Sequence, residues 1–386
     1  MRLIDRTLGN IHSPIGEAFA LLDQRIDARP LLDMSQAAPS HPTAPQIADR
    51  IAAIAQSPDG GRYCPQEGLP HLREAFAVEL SSGYAASISA DNVLVTAGCN
   101  QAFCLIASTL ATTGNEIILP RPFYFNHDMW LRLDGIEPVH MASDDAGLPD
   151  LEACRSLITD RTAAIVLVSP GNPTGVTIPP DLIGDFAELA RAHDVALIVD
   201  ETYRSYRSTV APAHDLFSDP FWEDTVVSLH SFSKEFAIPG YRVGAAVGSP
   251  QLLAEAMKLL DCVAICAPRI GQEAAYAGLT EALDWRAEKV AAVAERQERF
   301  DEVMAGQPGG FELVSSGAYF GWVRHPYTGS ESTEIVRQLL VSHSMLTIPG
   351  HAFTGSDDGF IRFSFANLPL NDFEELETRL SNFSLD

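Results

Sequence analysis

The stretch SFSKEFAIPGYRVG, residues 231–244, sets the amine of Lys234 close behind two serine hydroxyls and places a guanidinium, Arg242, eight residues further on. Lysines are mostly solvated, but this one follows the mixed apolar and hydroxyl run TVVSLHSFS and precedes a Pro-Gly turn, an unusual place for a plain surface charge. An amine that attacks a carbonyl must be at least transiently neutral, and its pKa falls when it is desolvated near another cation. Lys234 is therefore a candidate nucleophile. Upstream, Thr96-Ala97-Gly98-Cys99-Asn100 opens an apolar helical run. A helix N-terminus presents unpaired N–H groups and a partial positive charge suited to a phosphate, which Ser231 and Arg242 would complete with a hydroxyl and a fixed cation. Asp200 ends the apolar run ALIVD, where a carboxylate is costly to bury unless something protonated pairs with it. A phosphate at one end and a protonated nitrogen at the other describe a specific ligand.

Those residues need a scaffold that gathers them. From about residue 93 the chain alternates β-rich apolar runs (NVLVTAG, NEIILP, AAIVLVSP, ALIVDE, TVVSLHSFS, RVGAAVG) with helical patterns such as QAFCLIASTLA and LIGDFAELARAHD. This rhythm predicts βαβ units and an α/β fold with a mostly parallel central sheet flanked by helices. In such sheets ligands bind outside the carboxyl ends of the strands. TAGCNQAF, SPGNPTG, DETY and SFSK each follow a strand candidate, so all four are expected to face one crevice. Beyond about residue 275 a long helical stretch, EALDWRAEKVAAVAERQERFDEVMAG, leads into a shorter α+β pattern. The expected division is an N-terminal arm (1–45) that is part of a small α+β domain, a large domain (46–275) and the C-terminal part of the small domain (276–386). The Pro-rich segment 35–45 is the expected connection.

Bulk properties narrow the function. The 386 residues carry 26 basic and 51 acidic side chains, a net charge of −25 that would repel a phosphate backbone, so nucleic acid is not an expected partner. No apolar run approaches membrane-spanning length, and MRLIDRTLGNIHSP lacks the features of a secretory signal, which makes the cytoplasm the expected location. The six cysteines are scattered without a C-x-x-C, and the histidines show no metal-ligand spacing, so neither disulfides nor a metal are expected.

Taken together, these motifs resemble the fold type I pyridoxal-phosphate enzymes, specifically the class I/II aminotransferase family, from about residue 30 to 367. The strongest match is SFSKEFAIPGYRVG to the family's S-x-[SA]-K-x-x-x-x-x-G-x-R-x-G. The resemblance implies pyridoxal 5'-phosphate as cofactor, with Lys234 joined to it as a Schiff base and Ser231, Arg242 and the Gly98-Cys99-Asn100 turn on its phosphate. It implies Asp200 on the ring nitrogen, Tyr203 and Asn172 on the ring hydroxyl, Tyr124 stacked on the ring, and Arg362, with Asn172, on the substrate α-carboxylate. Tyr63 is similar to a tyrosine that reaches the phosphate of the partner subunit's cofactor, which implies a homodimer with shared sites. The implied reaction moves an amino group from an L-amino acid to a 2-oxo acid.

Two departures bear on substrate. MSQAAPS puts Ala37 where many relatives have glycine, and MKLLDCVAICAPRI puts Asp261, not a cation, near the place where dicarboxylate-specific relatives have an arginine. A neutral, aromatic or basic donor is therefore expected over a dicarboxylic one, whose distal charge would be left unpaired. Singly, each residue has an ordinary reading: Asn172 in a turn, Asp200 as a helix cap, Arg362 in a surface ion pair, Tyr124 in a core. Their co-occurrence in order carries the assignment. An eliminating C–S β-lyase would use the same Lys, Asp and phosphate groups, and a non-catalytic ligand-binding module is disfavoured by the complete set.

Overall fold

The computed structural model describes residues 1–209, 211–357 and 359–385. Its largest sheet is built from the apolar runs noted above: β1 (Val93–Thr96), β2 (Glu116–Pro120), β3 (Glu137–Met141), β4 (Thr162–Val168), β5 (Ala196–Asp200), β6 (Val226–Ser231) and β7 (Gly244–Val247). The spatial order is β1-β7-β6-β5-β4-β2-β3. All neighbours run parallel except β7, which is antiparallel to both β1 and β6. Strands β1, β6 and β7 are buried along their whole length, as continuous apolar runs require when helices cover both faces. One apolar cluster gathers Phe76, Leu167, Leu197 and Phe186 on one face; a second gathers Phe103, Val166, Ile198 and Leu253 on the other.

The edge strand β3 was not legible in the sequence. Its EPVHM alternates in exposure and contains Pro138, which an edge position tolerates and a central one does not.

Helices α1 (Pro45–Gln56), α2 (Pro70–Tyr84), α3 (Cys99–Leu110), α4 (Phe125–Asp134) and α5 (Pro180–Ala192) belong with this sheet, and α6 (Leu283–Ala305) follows it. The C-terminal part forms an antiparallel sheet of β8 (Glu312–Gly317), β9 (Phe320–Arg324), β10 (Ile348–Pro349) and β11 (Phe360–Phe363), in the order β10-β11-β9-β8. Its core takes in Phe300, Phe320, Phe363 and Phe373 together with Leu32 and Met34 from the N-terminal segment. Leu32 and Asp33 pair in parallel with Met345 and Leu346, so the two ends of the chain share one core. Among the described residues no helix is long and apolar enough to cross a membrane.

Candidate active site

The carboxyl ends of β1, β5 and β6 open onto a cavity of about 470 Å³. It is lined by Cys99, Asn100, Tyr124, Asn172, Asp200, Tyr203, Ser231, Lys234, Arg242 and Arg362. Residues more than two hundred and sixty positions apart in sequence thus meet as the α/β topology predicts.

Strand β1 ends at Thr96, and Gly98 caps helix α3 with φ +92°. A Cβ at Gly98 would stand 2.5 Å from Arg242 Nη2, so glycine is needed for the turn and for the guanidinium to approach it. Gly98 does not itself line the cavity; it makes room for Arg242, whose Nη1 donates to Pro239 O at 2.8 Å. The first N–H groups of α3 have no intrahelical partners and lie on the same side as Ser231 and Arg242.

Asp200 closes β5 and is 4 % exposed. Burial pushes its carboxyl up, but hydrogen bonding and charge attraction from His127, with Thr202 bonds added, outweigh it and leave the group below the usual range. His127 Nε2 lies 3.3 Å from Oδ2, and the Thr202 N–H donates to Oδ1 at 2.9 Å. The His127 ring stacks on Phe103 at 3.9 Å and meets Tyr124 edge-on at 5.1 Å. Sequence reasoning missed His127. Its signal was there in FYFNHD, three residues after Tyr124 and on the same helical face.

Lys234 sits in the short helix Phe232–Glu235 that follows β6. Burial first, then the positive charges of Arg362 and Arg242, pull its amine down to about 8. Nζ donates to Ala37 O, so the segment read as a connection contributes wall as well: Gln36 and Ala37 both line the cavity.

Arg362, on β11, is 2 % exposed. Burial lowers its guanidinium to about 10. Nη1 donates to Asn172 Oδ1 at 2.9 Å, Nη2 donates to Ser35 O, and the head lies over Phe320 and Phe353 at 5.0 and 4.9 Å. Its Nε has no partner among the described residues. Because Asn172 accepts through Oδ1, its NH₂ remains available to donate.

Asn172 is carried by the loop after β4, and that loop is pinned from the other sheet. A Cβ on Gly175 would lie 2.3 Å from Gly317 N, and one on Gly317 would lie 2.2 Å from Gly175 O. Ser315 Oγ also donates to Thr174 O at 2.9 Å.

Two expected residues stand apart from the cavity. Tyr63 is 75 % exposed, and Asp261 is an exposed residue bonded by Gln66 Nε2 at 2.6 Å. Wall residues not picked out in the sequence include Ser13, Ile15, Phe125 and Asn126, the last accepting from Tyr124 OH at 2.8 Å.

The family model for aminotransferase class I and II matches residues 29–380. The chain belongs to that family and is an aminotransferase. It is 31 % identical over 351 residues to the aromatic aminotransferase ISS1 of Arabidopsis thaliana, covering 88 % of this chain and 85 % of that one. It is also 31 % identical over 305 residues to the arginine–pyruvate transaminase AruH of Pseudomonas aeruginosa, covering 78 % and 77 %. In fold it resembles a single mutant of Thermus thermophilus aspartate aminotransferase, with a TM-score of 0.90, 24 % identity and 99 % of both chains covered.

Proposed function

We propose that this aminotransferase works with pyridoxal 5'-phosphate held at Lys234 and takes its amino group from a neutral, aromatic or basic L-amino acid. The observation that carries the reading is one cavity combining a lysine amine lowered to about 8 with the buried carboxylate of Asp200 and the buried guanidinium of Arg362.

The residues fit the cofactor. A buried carboxylate that stays ionised suits a protonated ring nitrogen, and the α3 N-terminus, Ser231 and Arg242 suit a dianionic phosphate. When bound, the cofactor supplies an aldehyde that condenses with amines and a ring that accepts electrons from the attached carbon. The protein supplies position and protons. Asp200, itself held by His127 and Thr202, keeps the ring nitrogen protonated. Tyr203 OH and the Asn172 amide would hold the ring hydroxyl, and the Tyr124 ring would pack against the cofactor ring. Arg362 takes the substrate α-carboxylate, with Asn172 fixing the guanidinium's orientation. Lys234 Nζ, freed once the substrate amine has displaced it, would act as the general base that takes the proton from the substrate α-carbon.

The donor class rests on the rest of the wall. Ser13, Ile15, Gln36, Phe125 and Asn126 are uncharged, and relatives named for aromatic and arginine substrates accompany those named for aspartate. Tyr63, Val263 and Ile265 are exposed large side chains, at 75 %, 70 % and 40 %. The Tyr63 and 261–266 segments adjoin through Arg269 and Cys266. This supports a homodimer in which Tyr63 serves the partner's site. Cytoplasmic residence, and residues 1–45 with 276–386 acting as one small domain against 46–275, complete the proposal.

Borohydride reduction of cofactor-saturated protein followed by peptide mass analysis should give a pyridoxyl adduct on Lys234 that is lost in Lys234→Ala. A donor panel read by oxo-acid production completes the test. No adduct at Lys234 rejects the site, and aspartate or glutamate as the best donor rejects the substrate class.

A further inference from the structure

Behind the cavity, two site residues have neighbours in the chain that meet each other. Tyr203 and Lys234 line the cavity; Arg204 and Glu235, the next residues of each, lie in a buried ion cluster where Arg204 Nε stands 3.3 Å from Glu235 Oε1. Glu235 is 3 % exposed. Its carboxylate also accepts from Ser205 Oγ at 2.6 Å and from Arg286 Nη1, on α6, at 3.3 Å. Glu79, on α2, closes the cluster: it is bonded by Arg204 and lies 3.0 Å from the same Arg286 nitrogen. Arg204 and Arg286 cover the rings of Phe76 and Phe236 at 5.5 and 5.7 Å. One residue further, Tyr206 OH donates to the Lys234 carbonyl at 2.8 Å and receives Tyr319 OH at 3.2 Å. The two loops are therefore tied twice, by charge and by a hydroxyl.

We propose that the Arg204–Glu235 pair is a positioning clamp that fixes, from behind the cavity, the placement of the Tyr203 hydroxyl relative to the Lys234 amine. It rests on the roles given above to those two residues. Glu235 is buried and its partners are only partly exposed, so alternating charges hold a defined geometry where a fully solvated pair would not. Glu79 belongs to the same cluster but is not adjacent in sequence to a cavity residue, which makes it the internal control.

The test compares Glu235→Gln with Glu79→Gln, each of which removes one carboxylate and leaves both arginines. The readouts are Tm, kcat and KM for the best donor, and the yield of borohydride-trapped pyridoxyl on Lys234. The expected result is a similar loss of Tm in both variants, with kcat lowered about 10- to 100-fold in Glu235→Gln, the order of effect a displacement near 1 Å produces. The KM of that variant should stay near wild type and its trapped adduct should form more slowly, while Glu79→Gln keeps kcat within about threefold by the same argument. Equal kcat losses in the two variants, or wild-type kcat in Glu235→Gln, would overturn the clamp. Should Glu235→Gln fail to fold, Glu235→Asp keeps the charge and shortens the arm; a wild-type kcat there overturns the clamp equally. Absence of the Lys234 adduct in the wild-type protein would reject the underlying site reading, whereas an adduct with indistinguishable Gln variants rejects the clamp alone.

Discussion

Lys234 and Arg362 are two cations in one cavity, and the guanidinium helps to hold the lysine amine down. For Lys234 burial is the larger cause and the two guanidiniums add to it. Below pH 8 the folded-state amine is mostly protonated and inert toward aldehydes; above it the amine is free. In cofactor-free protein, reductive methylation of Lys234 followed by peptide mass analysis should therefore rise through a midpoint near pH 8. Solvated lysines should rise only near their ordinary value of about 10.4. Arg362→Gln removes one repelling charge and should move the Lys234 midpoint upward by a part of that gap, since burial persists. A midpoint above 10 in the wild type would refute the account. At this scale much was legible in the sequence. Lys234 and Asp200 were readable from their places at or just past the ends of strand candidates and Arg242 from its spacing to Lys234, whereas Asn172 and Arg362 came from the family resemblance; all five line the one cavity. His127 was not singled out, because its partner Asp200 lies seventy-three residues away and only the packing of α4 beside the end of β5 joins them.

Elements explain how the Asn172–Arg362 pair is held across two sheets. Asn172 belongs to the loop after β4 and Arg362 to β11, and the backbones at Gly175 and Gly317 touch without a side chain between them. Gly317→Ala should force these segments apart, at a cost of about 1–3 kcal/mol for overpacking, and should loosen the Asn172–Arg362 geometry. Steady-state kinetics should then show a raised donor KM with a smaller change in kcat, while cofactor remains bound. A variant with wild-type KM would show that the contact does not govern the pair. NPTG reads as a turn, yet nothing along the chain says that its glycine meets Gly317. The same limit hid β3, where an edge position relaxes the apolar pattern, whereas the central strands announced themselves through apolar runs. The Pro-rich segment was read as a connection, and its share in the cavity wall depends on the pairing of Leu32–Asp33 with Met345–Leu346.

The whole molecule carries a net charge of −25, yet Lys234, Arg242 and Arg362 against Asp200 leave the described cavity lining positive. Anionic oxo acids and phosphates are thus drawn to a local field opposite in sign to the bulk, an attraction that salt weakens. If two subunits share their sites, mixing has a definite outcome. Lys234→Ala and Tyr63→Ala are each expected to be impaired as homodimers, but co-expressed they should form mixed dimers with one doubly damaged site and one intact site. Activity per mixed dimer should approach half of wild type; no recovery would mean that Tyr63 acts within its own chain or not at all. A last consequence follows from the reversed direction of β7. The chain leaves the sheet at Ser231 and re-enters at Gly244, directly across one rung. Residues 232–243 are consequently a connection with both ends stapled, carrying the Lys234 amine and the Arg242 guanidinium together. An extra residue spliced into that loop has no slack to absorb it and must shift one group against the other, while connections emerging at the sheet's opposite end can lengthen without touching the chemistry.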